Sequence, residues 1–123
     1  MNAIRVLIVD DEEELASIIA ERLQFRGMEA HTALEGKKAL KLIEENPPSV
    51  VVLDLMMPGL GGLEILKRIK NMNYNLPVIL LSGYGSKESA KEGMNLGAFD
   101  FVMKPCDIDS LISKIQEAVA RNN

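Results

Sequence analysis

Five residues of this 123-residue chain have types that do chemistry and stand where a fold can gather them: Asp10, Asp11, Asp54, Ser82 and Lys104. Each lies at or just past the end of a short apolar run. Carboxylates brought into one crevice repel one another and cannot all stay ionised without compensation. A hard cation supplies it, since magnesium prefers oxygen ligands and typically takes one or two carboxylates together with phosphate oxygens and waters. A lysine adds a fixed positive charge for phosphoryl oxygens, and a serine adds a hydroxyl donor. Phosphoryl transfer needs mainly an in-line nucleophile, neutralised charge and positioning. An aspartate can be that nucleophile, forming an acyl phosphate.

Taken singly, most of these residues have plainer explanations. Asp10-Asp11 suits the N-terminus of a helix, where Asp is favoured. Lys104 reads as a surface lysine and Ser82 as a turn residue. Asp54 resists such a reading, because it follows four apolar residues, Val50 to Leu53. A carboxylate buried there without a partner is expensive, which marks it as functional. The constellation carries the argument.

The elements that must position these residues follow from periodicity. Five short runs read as strands: Ile4 to Val9, Glu29 to Ala33, Val50 to Leu53, Val78 to Leu81 and Phe99 to Met103. Three are almost continuously apolar, as in strands covered on both faces of a parallel sheet, while the second is polar and suits an edge. Between them lie helical patterns: Leu15, Ile18, Ile19 and Leu23; Ala39, Leu40 and Ile43; Leu66 and Ile69; Ile108, Leu111, Ile112, Ile115 and Val119. Asp107 is placed to cap the last helix, and Gly27 to end the first. A helix from about Ser86 to Leu96 offers only Ala90 and Met94 as anchors, and its internal Gly93 costs about 1 kcal/mol against Ala. Five such β-then-α units predict a doubly wound α/β fold with five parallel strands and five helices.

Open sheets of this kind bind ligands outside the carboxyl ends of the strands, where strand order reverses. In the order 2-1-3-4-5, Asp10, Asp11 and Asp54 converge from neighbouring strands, flanked by Ser82 and Lys104. The second strand ends without an acid or base, and that order sends it to the far edge.

Composition limits the alternatives. The 14 Lys+Arg against 18 Asp+Glu give a net charge of −4, which disfavours a nucleic-acid or anionic-membrane surface. The lysines and arginines at 37, 38, 41, 67, 68 and 70 read as solvated helix faces. One cysteine, Cys106, and no leader-like start point to the cytoplasm, and no apolar run is long enough for membrane insertion. His31 is the only histidine, on an expected edge strand, so a Ser-His-Asp triad is not expected. The glycines form neither G-x-G-x-x-G nor a P-loop, so a phosphoryl group must come from an external donor.

With these residues in place, the chain resembles the receiver domain of two-component response regulators, in the manner of the chemotaxis-type single-domain receivers. The resemblance runs from Arg5 to about Ala120. It rests on Val9-Asp10-Asp11, on Asp54-Leu55-Met56-Met57-Pro58-Gly59 with Gly62 following, on Ser82-Gly83 and on Lys104-Pro105. It implies a flavodoxin-like fold with strand order 2-1-3-4-5. Asp54 would accept the phosphoryl group, and Asp10, Asp11, Asp54 and the Met56 carbonyl would hold Mg²⁺ (or Mn²⁺). Lys104 would pair with a phosphoryl oxygen, and Ser82 and Phe101 would form the switch. It further implies a cis Lys104–Pro105 bond, an output face on the fourth helix, fifth strand and fifth helix, and no turnover beyond the domain's own phosphorylation and dephosphorylation. The donor would be a histidine kinase, a histidine phosphotransfer protein or a small acyl phosphate, with a protein target downstream. Met56 and Tyr84 would flank the site.

Two positions depart from the family's usual pattern. Cys106 stands where a bulky apolar residue is common and is expected to act as a small buried hydrophobe. Gly61 replaces a frequent Asp and weakens the cap of the third helix by a few tenths of a kcal/mol. A flavin module is disfavoured, because the Asp-Asp-Glu-Glu-Glu loop would repel a phosphate. A hydrolase with an aspartyl-phosphate intermediate usually carries Asp-x-Asp on its first strand, which Asp10-Asp11-Glu12 does not match. An interaction module that no longer takes phosphate conflicts with the intact set of five residues. The expected organisation is one receiver domain over residues 1–123. The initial Met and the lack of a linker favour a stand-alone receiver over an excised piece.

Overall fold

The apolar runs form strands β1 (Arg5–Val9), β2 (Glu29–Ala33), β3 (Val50–Asp54), β4 (Val78–Ser82) and β5 (Asp100–Met103). They alternate with helices α1 (Glu13–Phe25), α2 (Gly36–Glu45), α3 (Gly62–Met72), α4 (Lys87–Asn95) and α5 (Ile108–Arg121). The structure is a computed structural model and describes residues 3–57, 59–83 and 87–121. Every strand pairing is parallel, in the order β2-β1-β3-β4-β5. This is the flavodoxin-like doubly wound sheet expected from the sequence.

Side chains alternate along each strand, so the sheet divides its core in two. Val6, Ile8, Val50, Val52, Ile79, Leu81 and Val102 meet α1 and α5 through Ile19, Leu23, Leu111 and Ile115. Leu7, Val9, Val51, Leu53, Val78 and Leu80 meet α2, α3 and α4 through Ala39, Ile43, Ile65, Leu66, Ile69 and Ala90. Each fully buried Leu or Ile contributes about 1.5–3 kcal/mol, so both layers are needed to hold the strand ends in place.

The helix ends follow from local chemistry. Gly27 adopts φ 86°, and the amides of Gly27 and Met28 donate back to the carbonyls of Gln24 and Leu23 at 3.0 and 3.1 Å. This is a Schellman closure of α1, with glycine supplying the left-handed residue. Asp107 Oδ1 accepts the Asp109 amide at 3.1 Å and caps α5 as expected. The polar β2 occupies the edge, and His31 projects outward 3.9 Å from Glu29.

Several expectations change in detail. Ile18 was expected on the buried stripe of α1 but is 52% exposed, because Ala16, Ile19, Ala20 and Leu23 already cover the sheet. Gly93 is not merely a weak point in α4. A Cβ there would stand 2.4 Å from Leu80 Cδ1, so the glycine lets α4 approach β4 closely. Lys70 is not a solvated lysine. Its ammonium donates to the carbonyls of Tyr74 and Leu76 at 3.2 and 2.8 Å, and partial burial lowers its pKa. Cys106 is half-buried against the α1–α5 layer, and burial raises its thiol pKa. Met94, expected to anchor α4, is exposed at the edge of the helix's contact, and α4 is held instead by Ala90 and Gly93.

Candidate functional site

The alternation that builds the core also aims the polar residues. Ile8, Val52 and Val102 all face α1 and α5. Two residues further along each chain stand Asp10, Asp54 and Lys104. These three therefore emerge on the same side of the sheet, at the carboxyl ends of β1, β3 and β5. Backbone hydrogen bonds extend the pairing past the strands. The Asp10 amide donates to the Ala33 carbonyl at 3.1 Å, and the Lys104 amide to the Ser82 carbonyl at 2.9 Å. The Lys104–Pro105 peptide is cis, as the sequence resemblance implied.

Lys104 reaches across to the acids. Its Nζ lies 3.0 Å from Glu12 Oε1, 3.2 Å from Asp10 Oδ2 and 3.3 Å from Asp54 Oδ2. Asp10, Glu12 and Asp54 each offer an oxygen within 4.8 Å of the others. Asp10 and Asp54 are fully buried, whereas Glu12 closes the group from the solvent side. Loop amides orient the two buried acids. Asp10 Oδ1 accepts the Glu12 amide at 2.9 Å, and Asp54 Oδ1 accepts the Met56 amide at 3.1 Å. Among the described residues Asp10 Oδ2 has no donor in good hydrogen-bond geometry, and its one close partner is the Lys104 ammonium at 3.2 Å.

The electrostatics express crowding. Burial raises the Asp10 carboxyl to about 6, and the Asp54 charge adds to this against the lowering influence of the Glu12 amide and Lys104. Burial alone would lower the Lys104 pKa, but the hydrogen bond to Glu12 and the charges of Asp54 and Asp10 outweigh it and raise it. Three carboxylates against one ammonium leave negative charge in excess. An oxygen-only donor set with an orphaned buried carboxylate oxygen fits a hard divalent cation.

The loops explain how the chain closes around this point. Gly62 opens α3 directly behind β3, and a Cβ there would lie 2.6 Å from Leu55 Cα and 2.7 Å from the Asp54 carbonyl oxygen. Only glycine allows that approach. Gly59 adopts φ 75° in the turn between them.

The expected residues thus fall into groups. Asp10, Asp54 and Lys104 come together. Asp11 is exposed and lies outside the group of three acids. Met56 follows Asp54 with its side chain in solvent. Ser82 is fully buried at the end of β4, one residue beyond Leu81, which pairs with Asp54. Phe101 is partly exposed on β5, opposite Leu80. Pro58 and Tyr84 lie outside the described residues. Glu12 was not anticipated. The signal for it was the two-residue spacing Ile8, Asp10, Glu12, which continues the strand's alternation into the loop.

Comparison with known proteins agrees with this geometry. The sequence profile of the response regulator receiver domain matches residues 6–116. Regulatory protein AtoC of Escherichia coli is 39% identical over 94% of this chain, and the transcriptional regulatory protein YkoG of Bacillus subtilis 37% over 95%. The chain spans 25% of the first and 51% of the second. The receiver domain of Francisella response regulator 1452 superposes with a TM-score of 0.89 at 38% identity, covering 97% of this chain and 98% of that one. Among the described residues no helix is long and apolar enough to cross a membrane. A parallel sheet that delivers two buried aspartates and a lysine to one point, in a sequence that matches this profile almost end to end, places the chain in the response regulator receiver domain family, a family of signalling modules.

Proposed function

We propose that this chain is a single receiver domain over residues 1–123 that accepts a phosphoryl group on Asp54 from a phosphohistidine donor, on a histidine kinase or phosphotransfer protein. The observation that carries the reading is the buried Asp54 carboxylate, with Oδ1 held by the Met56 amide and Oδ2 3.3 Å from Lys104 Nζ. An oriented carboxylate needs no base to become a nucleophile. Asp54 attacks phosphorus as the donor's P–N bond breaks and its electron pair leaves with nitrogen. Lys104 then pairs with a phosphoryl oxygen, and the Ser82 hydroxyl donates to another.

Asp10, Asp11, Asp54 and the Met56 carbonyl are the proposed holders of Mg²⁺ or Mn²⁺. Such an ion neutralises the carboxylates and the phosphoryl oxygens, and the orphaned Asp10 Oδ2 is the point in its favour. Movement of Ser82 and Phe101 is proposed to alter the α4–β5–α5 face, by which a target protein is recognised. Support comes from Met94, Phe101 and Met103, which leave apolar area exposed on α4 and β5, and from α4's thin anchoring by Ala90 and Gly93.

Incubation with Mg²⁺ and acetyl phosphate, followed by intact mass, tests this. One added phosphoryl group is expected on the wild type and none on Asp54→Ala. A wild-type protein that gains no mass, or an Asp54→Ala variant that gains it, overturns the reading.

A further inference from the structure

Glu12 takes no part in the proposed transfer, yet its carboxylate makes the shortest ion pair of the Lys104 ammonium, with hydrogen-bond geometry at 3.0 Å. We propose that Glu12 is a positioning residue that holds the Lys104 ammonium in reserve and slows phosphorylation, because that ammonium must leave Glu12 Oε1 to reach a phosphoryl oxygen. The inference rests on Asp54 being the acceptor.

Three features support it. The first is the difference in exposure: the Lys104 side chain is 17% exposed and that of Asp54 2%, whereas that of Glu12 is 61% exposed. Asp54 and Lys104 are held in place by the sheet, so Glu12 is the partner free to let go. The second is charge. Asp10, Asp11, Glu12 and Asp54 against one ammonium and one divalent cation leave one negative charge over, which opposes an arriving phosphoryl group. Without the Glu12 charge the site would be neutral. The third is that Glu12 is the N-cap of α1 but makes no side-chain cap hydrogen bond, so its carboxylate is not occupied in holding the helix. An interaction made in the resting state and lost in the transition state raises the barrier by its own strength.

The test uses phosphoramidate and saturating Mg²⁺ with the full chain. The P–O bond to Asp54 forms as the P–N bond breaks, and the already protonated nitrogen leaves with the electron pair as ammonia. Glu12→Gln is expected to speed phosphorylation about two- to fivefold, the range for an ion pair open to solvent on one side. Glu12→Asp, which keeps the charge but withdraws it from the ammonium, is expected to fall between wild type and Glu12→Gln. In the metal-free protein, the Lys104 ammonium signal in ¹⁵N NMR, slowed in hydrogen exchange by its partner, is expected to exchange faster in both variants. A Glu12→Gln rate equal to or below wild type overturns the proposal, as does a Glu12→Asp variant that behaves like wild type. A wild-type chain that takes no phosphoryl group at all removes the Asp54 reading and this inference with it, whereas an unchanged variant rate on a phosphorylatable wild type removes this inference alone.

Discussion

Asp10→Asn in the metal-free protein is expected to stabilise the fold, although it removes one partner of an ion pair. Asp10 is fully buried, its Oδ2 has no donor in good hydrogen-bond geometry among the described residues, only the Lys104 ammonium at 3.2 Å, and its carboxyl is raised from 3.8 to about 6. At 1.36 kcal/mol per pH unit, that gap makes ionised Asp10 cost up to about 3 kcal/mol at pH 7. The attraction to Lys104 is already contained in that value, and the Asn amide left beside the ammonium offsets part of the gain, so roughly 1–3 kcal/mol of stabilisation is expected. The pH dependence carries the stronger test. A carboxyl whose folded pKa lies above its unfolded value binds its proton more tightly in the native state, so its contribution is full below about 3.8 and lost as pH rises through about 6. The Lys104 pKa is raised, so its contribution is lost only above the ordinary lysine value of 10.5 and does not alter this window. The variant and wild type should therefore be equally stable near pH 4 and diverge to a plateau by about pH 7. Urea unfolding at several pH values with a chelator measures this directly. Adding Mg²⁺ at ten times its Kd should return about 1.4 kcal/mol to the wild type and far less to the variant. A variant less stable than wild type at pH 7, or a difference that does not change with pH, refutes the crowding argument.

The two glycines that open α3 should respond in opposite directions. Gly61→Asp places a capping carboxylate at φ −65°, where a Cβ meets nothing within 4 Å, and should add a few tenths of a kcal/mol, read as a slightly higher Tm. Gly62→Ala drives a methyl into the Leu55 and Asp54 backbone and should cost about 1–3 kcal/mol, with slowed phosphorylation as the strand end shifts. Asp107→Ala removes the α5 cap seen at Asp109 and should cost about 1 kcal/mol in urea unfolding, while leaving the phosphorylation rate at its wild-type value.

The strand positions, the alternation of elements and the edge placement of β2 were legible in the sequence, because burial on two faces, on one face and on none leaves different patterns of apolar residues. Asp54 was legible for the same reason: an acid closing a four-residue apolar run declares its own burial. Ile18 misled because a helical stripe can be wider than the surface available to it, and only packing decides which flank stays wet. Gly93 looked like a defect on propensity alone, and its contact with Leu80 exists only once α4 lies on β4.

By itself, the order of residues determined which atoms could do chemistry and which end of each strand they occupied, since both follow from local side-chain type and a period of two. It did not determine which acid in the Asp10-Asp11-Glu12 loop meets Lys104. Lys104 and Glu12 are 92 residues apart, and a turn of one residue in the loop changes which carboxylate points inward. That choice was made by the tertiary structure, through the register of β5 against β4, which brings Lys104 to the side of the sheet where Asp10 and Glu12 stand. Distances of about 3 Å between groups so distant in the chain are set by the packing of the whole sheet, which no local stretch of sequence encodes.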